Sequence, residues 1–319
     1  SQPAQAVSLR VYTHPACIAH DTGEGHPERP ERLGAVIQAL RDGLPGIDWK
    51  EAPSATRGQL LRVHSESLLQ AVLETEVTGV MRLDPDTMLS PASAEAALRA
   101  AGSGIAAVDA VMSGEVPVAF CAVRPPGHHA TGGESMGFCL FNNVAVAAAH
   151  ALEQHSLTRV AVIDFDVHHG NGTQAIFESD PRLMYLSTHQ EALYPDTGQR
   201  RERGVGNLIN VPLAAGTGSR AFRDAWTERL LPELDGFRPQ LLLVSAGFDA
   251  HWRDPLAQLQ LDGEDFGWLT AELLAIAQRH AAGRVVSTLE GGYDLRALQE
   301  GCLAHARALL GSGPDASAG

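Results

Sequence analysis

The sequence predicts a single α/β domain built on a mainly parallel sheet with helices on both faces. Three observations predict it. Short continuous apolar runs, rather than alternating ones, recur along the 319 residues, as expected of strands buried on both sides. Segments of helical period separate them. No repeat, low-complexity block or linker breaks the rhythm. At 44% hydrophobic residues the chain can bury a large core, which excludes a disordered chain and a disulfide-stapled miniprotein.

Leu9–Thr13 (LRVYT) reads as the first strand. A helix is expected from Pro30 to Leu40, with Leu33, Val36, Ile37 and Leu40 on one face. Ala92–Met112 is an Ala-rich helix stopped by Gly114. Val116–Val123 is a strand and Asn142–Glu153 a helix. The second half repeats the pattern, with strands at Arg159–Phe165, Leu183–Ser187, Leu241–Ala246 and Val285–Leu289. Helical patterns lie at Ser219–Leu234, Gly263–His280 and Leu295–Leu310. Residues 1–310 read as one domain, and 311–319 (GSGPDASAG) as a disordered tail.

The formal net charge of −14 argues against direct nucleic-acid binding and suits a cationic substrate. The four cysteines are irregularly spaced, without a CxxC, and read as reduced, buried thiols of a cytoplasmic protein. No apolar run approaches the ~18 residues that span a bilayer. The segment Ser1 to Ser8 lacks the apolar core of a signal peptide.

Polar residues cluster where the strands end: Arg124-Pro-Pro-Gly-His128-His129, Asp164-Phe-Asp166-Val-His168-His-Gly-Asn171, Ser187-Thr188-His189, Gly247-Phe-Asp249 and Glu290-Gly291-Gly-Tyr293. Ligands bind at the carboxyl ends of strands in open parallel sheets. Asp166, His168 and Asp249 offer two carboxylates and an imidazole, a three-ligand set that leaves a catalytic metal one open position. A local turn must bring Asp166 and His168 inward together. His128 and His129 are then candidates for proton transfer, Tyr293 for oxyanion stabilisation, and Asp164 and Asn171 for orienting imidazoles. Taken singly each motif has a bland reading: a solvent-facing His pair, a Mg²⁺-binding DxD, a capping Asp. Their convergence on successive strand ends is what argues against accident.

Six ordered motifs make the chain resemble the histone deacetylase superfamily, and within it the bacterial relatives of the class II enzymes. They are HDTGEGHPERPERL (His20–Leu33), RPPGHHA (Arg124–Ala130), GFCLFNN (Gly137–Asn143), DFDVHHGNGTQ (Asp164–Gln174), SAGFDAHWRDPL (Ser245–Leu256) and LEGGYDL (Leu289–Leu295). The resemblance implies an arginase-like α/β fold with a mainly parallel eight-stranded sheet. It makes Asp166, His168 and Asp249 ligands of a catalytic Zn²⁺, His129 the general base and then acid, and His128 its electrostatic partner paired with Asp164. Tyr293 would polarise the amide carbonyl. Asn171, where class I members carry Asp, points to class II and to a less basic His129. Phe138 and Tyr194 match the aromatics flanking the acyl-lysine stem, with Gly137 and Gly291 beside them, and Tyr194 replaces a common Phe. Leu256 stands where polyamine-selective members can carry an acidic gatekeeper. Arg32 matches an arginine of an internal acetate channel, with a helix-surface charge as its lesser, bland reading. A structural K⁺ or Na⁺ is implied near Asp164, Asp166, His168, Ser187 and Thr188. Asp84 and Asp86 fall in a rim loop, where His20 and His26 are also expected. His251 and Trp252 are placed at the mouth. His14, His64, His150, His155, His280 and His305 carry no motif and are expected on the surface.

The resemblance implies hydrolysis of an acetylated lysine or similar acylated amine to acetate and free amine. An acetylpolyamine amidohydrolase shares the same catalytic residues and stays open, although the short Val63–Ala92 stretch and apolar Leu256 weigh against it. A binuclear manganese ureohydrolase would leave His128, His129 and Tyr293 unused. A non-catalytic acyl-lysine binder would be expected to have lost one of them. A homo-oligomer is left open.

Overall fold

The computed structural model describes residues 8–311, so almost all of the expected tail, and the first seven residues, lie outside the described residues. The first half runs β1 (Leu9–Thr13), α1 (Pro15–Ala19), α2 (Pro30–Gly43), β2 (Asp48–Glu51), α3 (Arg57–Leu61), α4 (Glu66–Leu73), β3 (Met81–Asp84), β4 (Thr87–Leu89), α5 (Ser93–Met112), β5 (Val118–Cys121) and α6 (Asn143–His155). The second half runs β6 (Val160–Asp164), α7 (Asn171–Phe177), β7 (Leu183–Gln190), β8 (Leu208–Leu213), α8 (Ser219–Ala225), a π turn (Trp226–Leu230), α9 (Leu231–Phe237), β9 (Leu241–Ala246), α10 (Gly263–His280), β10 (Val285–Leu289) and α11 (Leu295–Leu309).

Eight strands form one parallel sheet in the order β2-β1-β5-β10-β9-β6-β7-β8, and β3 and β4 form a separate hairpin. Every residue of β5, β6, β9 and β10 is buried, so both faces of the sheet's centre are covered. That is why these strands read as unbroken apolar runs. Helices α5 and α6 pack on each other and over the central strands, while α2, α11 and α10 make a second helical layer. From β6 the chain moves outward to β7 and β8, then returns to lay β9 on the other side of β6. The β6–β9 boundary is therefore a topological switch point, where the loops leaving the two carboxyl ends diverge and open a crevice.

Caps and turns fix the helices that frame this edge. The Asn142 side chain accepts from the Ala145 N–H at the start of α6. Asp262 and Asp265 form a reciprocal capping box on α10, and Asp294 caps α11. The expected helix Ser219–Leu234 extends to Phe237 but changes to π hydrogen bonding over Trp226–Leu230. Pro232 is the physical reason: it has no N–H to donate and its ring crowds the preceding turn.

Three of the histidines expected on the surface are buried. His305 lies in the core against Phe120, Phe165 and Phe248. Its ring nitrogens pair with the Thr270 and Ser287 hydroxyls, each at 2.7 Å. His64 donates from Nδ1 to the Thr131 carbonyl and accepts at Nε2 from the Asn142 N–H, bracing the loop before α6. His150 is buried on α6. Periodicity could not reveal these, because two hydroxyl or backbone partners from distant segments make a neutral imidazole acceptable in a core.

Burial pushes the His305 imidazole down to about 3 from an ordinary value near 6.5. A group whose folded pKa is depressed contributes stability that is complete above its unfolded pKa. Below pH ~6.5 the unfolded chain takes up a proton that the native chain refuses, until the pH reaches about 3. His305→Asn should therefore flatten the acid loss of unfolding free energy by up to ~1.4 kcal/mol per pH unit. Urea melts at pH 6 and 5 measure it, and identical slopes in wild type and variant contradict the assignment.

Candidate active site

Four adjacent strand ends, those of β5, β10, β9 and β6, supply the site, and strand pairing sets its registry. Asp164, the last residue of β6, lies opposite Ser245 on β9 and Ser187 on β7. The chain then leaves strand geometry, and a tight turn brings the Asp166 and His168 side chains to one place. The Asp164 carboxylate accepts from the Asp166 N–H, and the Asp166 carboxylate accepts from the His168 N–H at 2.8 Å. These successive Asx turns give physical form to the local turn expected from the sequence.

Asp249 arrives from the end of β9 and accepts from the Val167 N–H at 2.9 Å. His168 Nδ1 stands 3.0 Å from Asp249 Oδ2 and 3.4 Å from Asp166 Oδ1. One ligand atom from each residue lies within 4.8 Å of the others, and all three residues are buried. Glycines make room for this close set: a Cβ on Gly247 would overlap the Asp166 carboxylate, and one on Gly291 would overlap those of Asp249 and Asp166. The Gly291 N–H also donates to Asp166. Burial works against a charge on His168, but hydrogen bonds and charges of Asp166 and Asp249 hold its pKa up to about 10. Burial, reinforced by the neighbouring Asp166, pushes Asp249 up to about 6. Two carboxylates converging on one imidazole nitrogen thus create a buried spot that strongly favours positive charge. This donor set and this recess fit a divalent cation with nitrogen and oxygen ligands.

The two histidines after β5 are built differently. His128 Nδ1 pairs with Asp164 Oδ2 at 2.8 Å, and the Tyr185 hydroxyl donates to the same oxygen. Burial opposes a charge on His128, yet Asp164, Asp166 and Glu290 outweigh it and hold its pKa well above the ordinary value. His129 Nδ1 pairs with the Asn171 side-chain oxygen at 2.8 Å. Burial and the positive charges of His128 and His168 push His129 well below the ordinary value. With Nδ1–H donated to Asn171, the neutral ring presents Nε2 as a lone-pair acceptor.

Tyr293 follows β10, its ring 4.9 Å below the Arg32 guanidinium carbon. Burial keeps the phenol protonated, although the charge of Arg32 acts the other way. Phe138 stands edge-on to Tyr293, and Tyr194 edge-on to His129, at ring separations of 5.7 and 5.3 Å. Tyr194 is 41% exposed, so this aromatic pair faces outward from the buried set. The β3–β4 turn holding Asp84 and Asp86 closes over Phe138, whose N–H donates to Thr87, while His26 touches both the Asp86 carbonyl and the Phe138 ring. His26 is at the rim as expected. His20 is not: it is buried against Ser93 on α5. Leu256 is tied to Tyr293 through Asp254, whose carboxylate accepts from both backbone N–H groups. Trp252 is exposed beside His251 and Arg253.

The surface reading of Arg32 is overturned. It lies on the buried face of α2, donating to the carbonyls of Gly292 and Glu290 and to the Glu28 carboxylate. Ser187 faces Asp164, whereas the Thr188 hydroxyl points to the other face of the sheet and accepts from Trp226 Nε1 at 3.2 Å. Thr188 could therefore join a cation site beside Asp164 only through its carbonyl.

Sequence reasoning gave no role to Glu290, Glu28 and Arg124. Glu290 Oε1 accepts from the Gly127 and His128 N–H groups, and its other oxygen accepts from Ser245, fixing the loop that carries both histidines. Arg124 Nε and Arg32 Nη1 both donate to the same oxygen, Glu28 Oε2, and their charges hold the carboxyl at about 2 against burial. The available signals were a glutamate closing the apolar run of β10 and the four-residue spacing of Glu28 and Arg32.

A parallel eight-stranded α/β domain with this carboxylate–imidazole set at its switch point is the architecture of a metal-site α/β protein whose recess opens at the strand ends. The chain belongs to the histone deacetylase family: the histone deacetylase domain model matches residues 26–309. It is 42% identical over 281 residues to the histone deacetylase-like amidohydrolase of Pseudomonas aeruginosa, covering 85% of this chain and 73% of that one. It is 39% identical to the human polyamine deacetylase HDAC10, over 91% of this chain and 46% of that protein. The crystal structure of the HDA15 HD domain superposes with a TM-score of 0.91 at 35% identity, covering 96% of this chain and 89% of that one. A hydrolase acting on amides follows from this membership.

Gly137 tests how tightly the site is packed. It has φ +56°, and a Cβ there would sit 2.6 Å from the His129 ring. Gly137→Ala should cut kcat/KM for deacetylation at least ~10-fold, or ~1.4 kcal/mol in the transition state, with an unchanged far-UV circular dichroism spectrum. Full activity would contradict the close approach.

Proposed function

We propose that the protein is a zinc-dependent deacylase that hydrolyses an acetyl-lysine-like amide to acetate and free amine. The observation that carries the reading is the juxtaposition of a buried Asp166–His168–Asp249 set with a neutral His129 whose Nε2 is free to accept a proton. These three residues would hold Zn²⁺. When bound, Zn²⁺ supplies Lewis acidity and makes water acidic enough to attack near neutral pH. His129 takes the proton from the attacking water and returns it to the leaving amine as the C–N bond breaks. Asn171 holds the tautomer this requires. His128, kept positive by Asp164, stabilises the negative charge that develops beside it. Tyr293 donates its phenolic hydrogen to the carbonyl oxygen as that oxygen becomes anionic. Phe138 and Tyr194 clasp an apolar stem such as the lysine methylenes and exclude water around it. Arg32, held by the Gly292 and Glu290 carbonyls, would guide acetate away behind Tyr293. Asp164, Asp166, His168 and Ser187 would hold a structural K⁺ or Na⁺, with Thr188 contributing a carbonyl.

The substrate class follows from the rim. Leu256, anchored beside Tyr293 by Asp254, places an apolar surface where recognition of a second ammonium would call for a carboxylate. That favours acyl-lysine in a peptide or protein over an N-acetylated polyamine. The four unpaired, buried cysteines support a cytoplasmic location.

Three measurements test the reading. Tyr293→Phe should keep its metal and lose ~10²–10³ in kcat, whereas near-normal turnover would remove the oxyanion role. Asp249→Ala should lose zinc in a metal assay, and full occupancy would remove it from the ligand set. Across acetyl-lysine peptides and N-acetylated putrescine, cadaverine and spermidine, the peptides should lead in kcat/KM by ~10-fold or more, ~1.4 kcal/mol. The reverse order would assign the polyamine substrate.

A further inference from the structure

A second cluster of metal-ligating side chains lies far from the site just described. Asp109 near the end of α5 receives two imidazoles from the end of α6: His150 Nε2 and His155 Nε2 each stand 2.7 Å from the same oxygen, Asp109 Oδ1. One donor atom from each residue falls within 4.8 Å of the others. The His150 and His155 rings meet edge-on at 5.7 Å. The cluster opens into a surface cavity of about 640 Å³ lined also by Gln59, Ser113 and Glu115. His150 is buried, whereas the side chains of His155 and Asp109 are 22% and 51% exposed, so the donors are anchored at the back and open to solvent in front.

From this geometry we propose that Asp109, His150 and His155 form a second divalent-cation site, selective for a borderline transition metal such as Zn²⁺, Cu²⁺ or Ni²⁺. Two imidazoles and one carboxylate are the ligand set those ions prefer, while Mg²⁺ and Ca²⁺ favour oxygen ligands throughout. Metal–ligand bonds of ~2.0–2.2 Å in tetrahedral geometry place neighbouring donors about 3.4 Å apart, so the two 2.7 Å contacts need to open by roughly 0.7 Å. The cavity leaves room for water to complete the coordination shell.

Arg62 controls access. Its guanidinium faces His150 Nδ1 at 3.2 Å. A guanidinium can only donate, so this contact keeps the proton of a neutral His150 on Nε2, where it bonds to Asp109. Loading the metal moves that proton to Nδ1 and displaces Arg62, which costs affinity. The site ties the last turns of α5 and α6 together. Helix α6 begins beside the catalytic loop, where the Asn142 side chain donates to the Ala130 carbonyl. His150 and His155 lie seven and twelve residues beyond Asn143, which puts the cluster ~10–18 Å away along the axis at ~1.5 Å per residue, on the edge of the sheet opposite the active site. Occupancy should therefore act on stability rather than on turnover.

Equilibrium dialysis of the whole enzyme against micromolar Zn²⁺, followed by elemental analysis, tests the proposal. Wild type should retain one more equivalent of zinc than either His155→Ala or Asp109→Ala. Both variants should keep the wild-type kcat, and Arg62→Ala should bind the extra ion about ten-fold more tightly. Because the readout is a difference between proteins that share the Asp166–His168–Asp249 set, it does not depend on the metal proposed there. A Cu²⁺ electron paramagnetic resonance signal with two nitrogen couplings, reduced to one in His155→Ala, identifies the ligands. Equal zinc contents in wild type and both variants would overturn the site, as would an extra equivalent that survives in all three.

Discussion

The architecture depends on keeping five carboxylates buried at one edge of a parallel sheet. Glu28, Asp164, Asp166, Asp249 and Glu290 are each at most 1% exposed. Desolvation disfavours charge on every one of them, and each is met on at least one oxygen by a positive group, a hydrogen of the backbone or a hydroxyl. The pairings are divided by task. Arg32 and Arg124 serve Glu28, the Asp164 oxygens take His128 and Tyr185, and Asp166 and Asp249 converge on His168. Glu290 is met by backbone N–H groups and Ser245 rather than a full ion partner, and burial accordingly raises it to about 7. Replacing any one partner by an apolar group would strand a buried charge, a costly change even where the pair itself adds little net stability.

This constraint explains what was legible in the sequence. The central strands could be read because burial on both faces leaves an unbroken apolar run, and β9, α10 and β10 have the expected bounds. The edge strand β2 escaped notice because its DWKE sequence is partly exposed and carries no such signature. Helix α7 escaped because its seven residues begin inside the polar motif that attracted attention as chemistry. The residues proposed for catalysis were visible as polar breaks at strand ends. Their supports were not: Arg32 and Glu28 look like an ordinary exposed helical pair until α2 is seen to turn that face onto the loop after β10. His305 was invisible for the same reason, since only the assembled core brings Thr270 and Ser287 to its two nitrogens.

The two edges of the sheet divide the molecule's polar chemistry. At the carboxyl edge, side chains are buried and mutually neutralised, and glycines replace any residue whose Cβ would fill the recess. At the amino edge, the Asp109 cluster lies open to solvent, with a guanidinium held next to one of its imidazoles. Helix α6 spans the distance between the edges, and its first turn is fixed by Asn142 bonds to Ala130 and Thr173. Rigidity at one end of α6 can therefore be supplied from either end without a side chain of the remote cluster entering the active site.

The most economical device in the site is the difference between two orienting groups. His128 and His129 are consecutive, and their rings are 4.2 Å apart. Two imidazolium charges at that distance in a buried recess repel strongly, so one charged and one neutral ring is the favoured state. Asp164 and Asn171 decide which is which. A carboxylate on His128 Nδ1 stabilises the charged form, and an amide oxygen on His129 Nδ1 fixes a tautomer without supplying a counter-charge. The pair therefore enters a reaction already sorted, with positive charge on the inner ring and a basic lone pair on the outer one. A second carboxylate in place of Asn171 would blur that division by favouring charge on both rings. The side-chain amide at the start of α7 thus fixes the neutral tautomer that the proton-transfer role proposed for His129 requires.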